Sequence, residues 1–195
     1  MANSIPAQTS NIVKVGVSGH RFFARPHLIA AGVDRAIDRI EKSFPGHSLA
    51  VVSSLAEGAD RLVVSRVLNR NSAALIALLP LAQNDYLTDF TSEQSKREFL
   101  ELLSRAATVI ELPAKARREQ AYRAAGEAII EQIGVLIAIW DGRAAQGPGG
   151  TGEIVARARA RMIPLAWVHG GNRKPGTNIP VALGAEEGEV TYEGF

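Results

Sequence analysis

A glycine-rich segment carries the clearest chemical signal in the 195-residue sequence. Residues 146–152 read Gln-Gly-Pro-Gly-Gly-Thr-Gly and lead into a predicted helix at about 151–161. Glycine lets a ligand approach the backbone, and the N–H groups and dipole at a helix N-terminus attract anions. The pattern therefore favours a phosphate site built on Gly149, Gly150, Thr151 and Gly152. The alternative is a flexible loop with a helix cap, and Thr151 could be either that cap or a phosphate ligand.

Further polar and glycine residues follow the predicted strands. They are Gly19, His20 and Arg21 after the first strand, Glu57 and Asp60 after the second, Tyr86 after the third and Asp141 after the fifth. Arg21 could bind a phosphate through two donors. Either Glu57 or Asp60 could accept ribose hydroxyl groups, and His20 could bind a ligand or act as an acid or base.

Each of these side chains also has a purely structural interpretation. His20 could form only a hydrogen bond within a tight turn. The charges of Glu57 and Asp60 could stabilise the N-terminus of a helix. Tyr86 could stack on a base or pack in the core, and Asp141 could be a turn residue that orients a loop. The residue types alone leave these alternatives open.

Six apolar runs alternate with stretches of helical periodicity and define the elements that must position these residues. The predicted strands are 12–17, 49–52, 74–79, 108–112, 134–140 and 163–168. Near-continuous apolar strands joined by helices indicate a doubly wound, mainly parallel sheet with helices on both faces, a Rossmann-like α/β fold. Ligands bind outside the C-terminal ends of such strands. Residues 84–90 are predicted as a polar loop, and Thr91 with Gln94 as a capping box for a helix to about residue 106.

Composition limits the possible classes of function. The net charge is only +2, and no run of Lys and Arg with interleaved aromatic residues favours nucleic acid. The absence of cysteine excludes disulfides, thiolate metal sites and a cysteine nucleophile, and neither a metal site nor a cofactor is expected. No Walker A motif or dinucleotide fingerprint is present, which weighs against ATP hydrolysis and hydride transfer.

The organisation along the chain predicts one domain at residues 12–169, after a disordered N-terminus at residues 1–11. Residues 170–195 are rich in glycine, proline and polar residues, and they are predicted as a weakly structured tail or an edge strand. The N-terminus lacks the apolar core of a signal peptide, and no apolar run is long enough for a membrane span. A cytoplasmic location and no contact with a membrane are therefore expected.

The ordered set of motifs resembles the SLOG superfamily, a Rossmann-like group that includes the LOG phosphoribohydrolases and DprA-like proteins. The motifs are VGVSGHR at 15–21, SLAEGADR at 54–61, LP at 79–80, YLTDF at 86–90, LIAIWDG at 136–142 and GGT at 149–151. Together they span about residues 12–168. Some members cleave the N-glycosidic bond of nucleoside monophosphates. Others sense nucleotide messengers, including ADP-ribose derivatives, in bacterial conflict and antiviral systems.

One departure from the hydrolase pattern bears on this choice. The LOG signature runs Pro-Gly-Gly-x-Gly-Thr-x-x-Glu, with a catalytic final Glu, whereas this chain has Glu153 at the Thr position and Ala156 at the Glu position. Glycosidic cleavage needs a carboxylate near the anomeric carbon. The resemblance therefore implies binding in preference to hydrolysis, unless Glu153 or Glu57 is the catalytic group. It also implies a homo-oligomer and an effector domain or effector protein as partner.

Overall fold

A seven-stranded sheet forms the centre of the protein in the computed structural model, which describes residues 11–144 and 149–195. The strand order is β4-β3-β2-β1-β5-β6-β7. Neighbouring strands are parallel except β6 and β7, which are antiparallel. The strands are β1 Ile12–Gly19, β2 Ser48–Ser53, β3 Ala74–Leu79, β4 Thr108–Glu111, β5 Val135–Trp140, β6 Leu165–His169 and β7 Val190–Glu193. The predicted doubly wound, mainly parallel α/β fold is confirmed.

Six α-helices in residues 11–144 and 149–195 cover the sheet. They are α1 Pro26–Ser43, α2 Ala59–Leu68, α3 Gln83–Tyr86, α4 Glu93–Ser104, α5 Arg118–Gln132 and α6 Thr151–Ala160. Apolar residues of α1, α2 and α4 belong to one buried cluster, and most of those from α5 and α6 belong to a second. All six residues of β5 are buried, which explains why that strand is apolar without alternation.

The strand order reverses direction at β1, whose neighbours are β2 on one side and β5 on the other. The connections that leave the C-terminal ends of β1 and β5 diverge at such a switch point, and they leave a crevice between them. The glycine-rich segment follows β5, so its described residues begin α6 at the edge of this crevice. The sheet topology therefore brings the polar residues that follow β1 close to those that follow β5.

Two local predictions between β3 and α4 are wrong. Residues 84–90 are not a loop, because they form α3 and a 3-10 turn at Leu87–Asp89. The turn is held by an aromatic cluster in which the rings of Tyr86, Phe90 and Phe99 lie 5.1–5.6 Å apart. Helix α4 is capped by Ser92, whose Oγ accepts a hydrogen bond from the backbone N–H of Ser95 at 3.0 Å, and not by Thr91. Gln94 instead donates to Glu98 at 3.0 Å.

The C-terminal part of the chain packs onto the sheet. An antiparallel bridge between Arg173 and Pro180 closes a turn that we call the C-terminal hairpin, residues 171–182, and β7 then pairs with β6.

The expectation of a disordered N-terminus falls almost entirely on residues 1–10, which lie outside the described residues, as do residues 145–148. In the described part of the chain, no helix combines the length and apolar character needed to cross a membrane.

Candidate functional site

Three adjoining cavities lie at the C-terminal edge of the sheet. The α6 cavity has a volume of about 460 Å³ and is bordered by residues that include Gly19, Arg21, Asp141, Gly150, Thr151 and Arg173. The α4 cavity, about 660 Å³, is bordered by Glu57, Arg61, Ser95, Glu98 and others. The sheet cavity, about 260 Å³, is bordered by Asp60, Tyr86, Tyr122 and several apolar side chains. Arg21 borders all three, so we describe the adjoining cavities together as one branched cleft.

The end of β1 packs closely against its neighbours at Gly19. A Cβ atom there would lie 2.5 Å from the Cβ of Ala59 and 2.7 Å from the carbonyl oxygen of Ile139. No side chain fits without a shift of backbone. This close packing allows the next residue, His20, to reach across to the end of β5.

His20 joins the ends of β1 and β5. Its Nε2 accepts a hydrogen bond from the backbone N–H of Asp141 at 3.1 Å and lies 3.3 Å from Oδ1 of the same residue. Burial lowers the pKa of His20, and Asp141 opposes part of that shift. A neutral ring that accepts the amide proton agrees with both observations. The bond therefore links the ends of two strands that are distant in sequence and does not lie within one tight turn, and His20 also borders the α6 cavity.

Asp141 closes the turn after β5. Its side chain is only 7% exposed, and its Oδ1 accepts a hydrogen bond from the backbone N–H of Arg143 at 3.1 Å. Gly142 has a φ of +78°, which is favourable for glycine in such a turn. Asp141 therefore borders the α6 cavity as a group that is already committed to the turn and to His20.

The loop between β2 and α2 is strained and held from within. Leu55 is fully buried with a φ of +57°, a conformation that is unfavourable for a branched side chain. Ser53 Oγ accepts a hydrogen bond from the N–H of Leu55 at 2.9 Å and donates to Asp60 at 2.7 Å. Asp60 thus organises the loop, and it also borders the sheet cavity.

Burial raises the pKa of Asp60 to about 6, against the opposing effect of hydrogen bonds from Ser53 and two backbone N–H groups. Because the folded state then binds a proton more tightly than the unfolded chain, the free energy of unfolding should fall as the pH rises from about 4 to about 6. We expect wild type to lose at least ~1.5 kcal/mol relative to Asp60→Asn between pH 4 and pH 7. Urea titrations at several pH values measure this difference, and parallel pH curves for the two proteins would contradict it.

Glu57 is held by a buried network on α2 and α4. Ser95 Oγ donates to Glu57 Oε1 at 2.5 Å and accepts from Nη1 of Arg61 at 2.9 Å. Arg61 also donates to the carbonyl oxygens of Ser95 at 2.9 Å and Leu55 at 3.1 Å. Its guanidinium carbon lies 4.5 Å from the centre of the Phe90 ring. Glu57 therefore borders the α4 cavity in a fixed orientation.

The N-terminus of α6 faces the crevice with backbone donors. Gly150 is the N-cap residue, so Thr151 is the first helical residue and not the cap. Glu153 Oε2 accepts from the N–H of Gly149 at 2.7 Å, and its Oε1 accepts from Arg157 at 2.8 Å. These bonds lower the pKa of Glu153. Within the described residues, the N–H groups of Gly150, Thr151 and Gly152 have no hydrogen-bond acceptor.

Tyr86 lies mainly in the core. It is 3% exposed and makes edge-on contacts with the rings of Phe90 and Phe99. Burial raises its pKa. Only a small part of the side chain therefore borders the sheet cavity, which limits Tyr86 to an edge contact with a ligand.

Several residues of the cleft were not predicted from the sequence. Tyr122 of α5 borders both the α6 and the sheet cavity, and its hydroxyl donates to Asp89, which also accepts from Arg118 at 2.9 Å. Arg173 reaches the cleft from the C-terminal hairpin. Helical periodicity marks Tyr122 as a core residue, and only its position in the first turns of α5 could have indicated the cleft.

Comparison with known proteins identifies no family for this chain. No protein-family model matches the sequence, and no curated protein matches it at a significant level. Among residues 11–144 and 149–195, no group of three or more histidine and carboxylate side chains is arranged to hold a metal ion. A functional inference therefore depends on the chemistry of the cleft and on the resemblance of the motifs.

Proposed function

We propose that the protein binds a phosphorylated nucleoside, such as an ADP-ribose-like or cyclic nucleotide signal, in the cleft at the C-terminal edge of the sheet. The observation that carries this proposal is the character of the α6 cavity. The backbone donors of Gly150, Thr151 and Gly152 border it together with three arginines. A helix N-terminus and guanidinium groups both favour a phosphate.

The charge balance of the α6 cavity supports an anionic ligand. Its three arginines are Arg21, Arg143 and Arg173, and its carboxylate is that of Asp141. That carboxylate is 7% exposed and lies against His20 and the Arg143 backbone, and it is also 4.0 Å from Nε of Arg143, whose side chain is 77% exposed. A lining with more arginines than carboxylates suits phosphate oxygens better than a neutral ligand.

The other two cavities differ from the α6 cavity in a way that fits the rest of a nucleotide. The sheet cavity has apolar walls that include Val17, Ile129 and Ile154, and such walls suit a planar base. Asp60 offers a carboxyl group there, and Glu57 offers one in the α4 cavity. Either could accept hydrogen bonds from ribose hydroxyl groups. On this proposal the chain is a sensor domain, and the resemblance to SLOG proteins adds a homo-oligomer and an effector as partners.

Titration calorimetry with AMP, ADP-ribose and cyclic forms of ADP-ribose tests the proposal. We expect saturable one-site binding of at least one of these compounds. Binding that persists in Gly150→Asp, which adds a carboxylate at the N-terminus of α6, would place the nucleotide elsewhere. No heat with any compound of the panel would reject nucleotide sensing.

Hydrolysis of a nucleoside 5′-monophosphate is the second candidate, and Glu57 is the observation that favours it. Its carboxylate is held by Ser95, and Glu57 borders the α4 cavity, which Arg21 also borders. Glu153 is a weaker candidate because both of its oxygens are engaged by Gly149 and Arg157. Ala156 supplies no carboxylate at the position of the LOG catalytic Glu.

Incubation of AMP with the protein distinguishes binding from hydrolysis. We expect no free adenine above a protein-free control when the products are separated by chromatography. Release of adenine that falls at least ~100-fold in Glu57→Gln, but not in Glu98→Gln on the rim of the same cavity, would establish the hydrolase instead. A loss of that size is usual when a general acid or base is removed.

A further inference from the structure

The C-terminal hairpin forms one wall of the cleft. Backbone hydrogen bonds from Lys174 to Ile179 at 2.8 Å and from Val181 to Asn172 at 2.6 Å join its two arms. Its turn residues border the α6 cavity, whereas Arg173 borders both the α6 and the α4 cavity. The hairpin thus lies at the boundary of these two cavities.

The base of the hairpin is fixed by a buried carboxylate. Glu187 is 4% exposed, and its Oε2 accepts hydrogen bonds from the N–H of Leu183 at 2.5 Å and of Gly171 at 3.4 Å. The arms approach so closely that a Cβ atom at Gly171 would lie 1.7 Å from the carbonyl oxygen of Val181. Arg173 therefore projects from an anchored backbone.

The guanidinium of Arg173 is oriented but not neutralised. Its Nη1 donates to Asn178 Oδ1 at 2.7 Å, and its guanidinium carbon lies 5.5 Å from the centre of the Phe22 ring. In the described part of the chain, neither Arg173 nor Arg21 has a carboxylate within 4.0 Å. Both arginines border the same two cavities. Two arginines without an ion pair in the described residues therefore both border the α6 cavity and the α4 cavity, although Arg21 also interacts electrostatically with the carboxyl group of Asp60.

We infer that Arg173 and Arg21 together bind the second phosphate group of a diphosphate ligand. A single phosphate at the N-terminus of α6 lies within the α6 cavity, whereas a second phosphate extends toward the boundary at which both arginines are present. The planar guanidinium binds phosphate oxygens in pairs, which gives geometric selectivity that a lone ammonium lacks. This inference rests on the proposed function for the nucleoside part of the ligand, but not for the diphosphate itself.

The test compares ligands that differ by one phosphate group. Inorganic phosphate, pyrophosphate, AMP and ADP are titrated in the presence of EDTA. Calorimetry measures the affinities, and the fluorescence of Trp140, one of two tryptophans, reports on the α6 cavity that it borders. We expect wild type to bind pyrophosphate at least ~10-fold more tightly than phosphate and ADP at least ~10-fold more tightly than AMP. Arg173→Gln should reduce both ratios below ~3-fold.

Lys174→Gln is the matched control, because Lys174 is exposed on the same hairpin and borders neither cavity. Its replacement by glutamine removes the same charge as Arg173→Gln. It should retain both ratios. Arg173→Lys should recover less than half of the loss, since it restores the charge without the planar fork. Circular dichroism confirms that each variant is folded.

Each outcome decides between the two levels of inference. Equal weakening of the mono- and diphosphate ligands in Arg173→Gln, or unchanged ratios, would overturn the arginine pair and leave nucleotide binding standing. Pyrophosphate binding that depends on Arg173, without binding of AMP or ADP, would support the pair and reject the proposed function. Failure of all four ligands to bind wild type would reject both.

Discussion

Replacement of Gly150 by aspartate should weaken nucleotide binding by at least ~100-fold, or about 2.7 kcal/mol, while the protein stays folded. Gly150 is the N-cap of α6 with a φ of −70°, so a side chain causes no backbone strain there. Aspartate is a favoured N-cap residue, and it should stabilise the helix. Its carboxylate would lie beside the phosphate, and repulsion between unit charges at ~4 Å is about 4 kcal/mol near a protein surface.

Gly150→Asn is the control that isolates the charge. Asparagine has the same shape as aspartate and caps helices equally well, but it carries no charge. We expect it to lose less than ~10-fold in affinity, as measured by calorimetry with the tightest nucleotide of the panel. Equal losses in the two variants would mean that the site is filled sterically, and unchanged binding in Gly150→Asp would remove the phosphate from α6 altogether.

Replacement of Arg61 by methionine should lower the free energy of unfolding by about 3 kcal/mol, because buried acceptors would lose their donors. Methionine has a similar length and keeps the contact with Phe90. The acceptors include the backbone carbonyl oxygens of Leu55 and Ser95, which no substitution of Arg61 can remove from the interior. The substitution also removes the hydrogen bond that joins the strained loop at Leu55 to α2.

Arg66→Met on the same helix is the matched control. Its side chain is 39% exposed, and its ion pair with Asp34 has a separation of 3.6 Å, so the expected loss is below ~0.5 kcal/mol. Urea unfolding followed by circular dichroism compares the two variants. A loss of less than 1 kcal/mol in Arg61→Met would show that the network around Ser95 does not stabilise the fold.

The sheet could be predicted because the information for it is local. β5 is apolar in every position since both of its faces are covered, and proline or glycine follows several other elements closely enough to define their ends. Parallel pairing then follows from the alternation of strands and helices. The register and the exact strand order depend on contacts between distant segments, and the sequence pattern does not specify them.

The candidate site could be predicted only where it follows a strand directly. His20 and Asp141 come into contact, and Asp60 borders the neighbouring sheet cavity, because the C-terminal ends of parallel strands share one edge. The burial of Arg61 could not be predicted, since its partners Ser95 and Phe90 come from elements whose packing no local pattern reveals.

Arg173 was not predicted for a different reason. Residues 170–182 are rich in glycine, proline and polar side chains, and this composition hides a segment that is held by hydrogen bonds at its base. The burial of Glu187 also has no sequence signal, since this residue lies among other acidic residues that are exposed.

The hydrogen bond between Gly149 and Glu153 means that α6 already holds an anion of its own. A phosphate that also recruits the Gly149 amide must exchange with this resident carboxylate, so its affinity reflects the difference between two competing anions. Exchange would release Glu153 toward Arg123 and Arg157, which lie 3.8 Å and 2.8 Å from its Oε1. Arrival of a ligand at the start of α6 would thus be transmitted as a rearranged ion pair on the outer surface of α5 and α6.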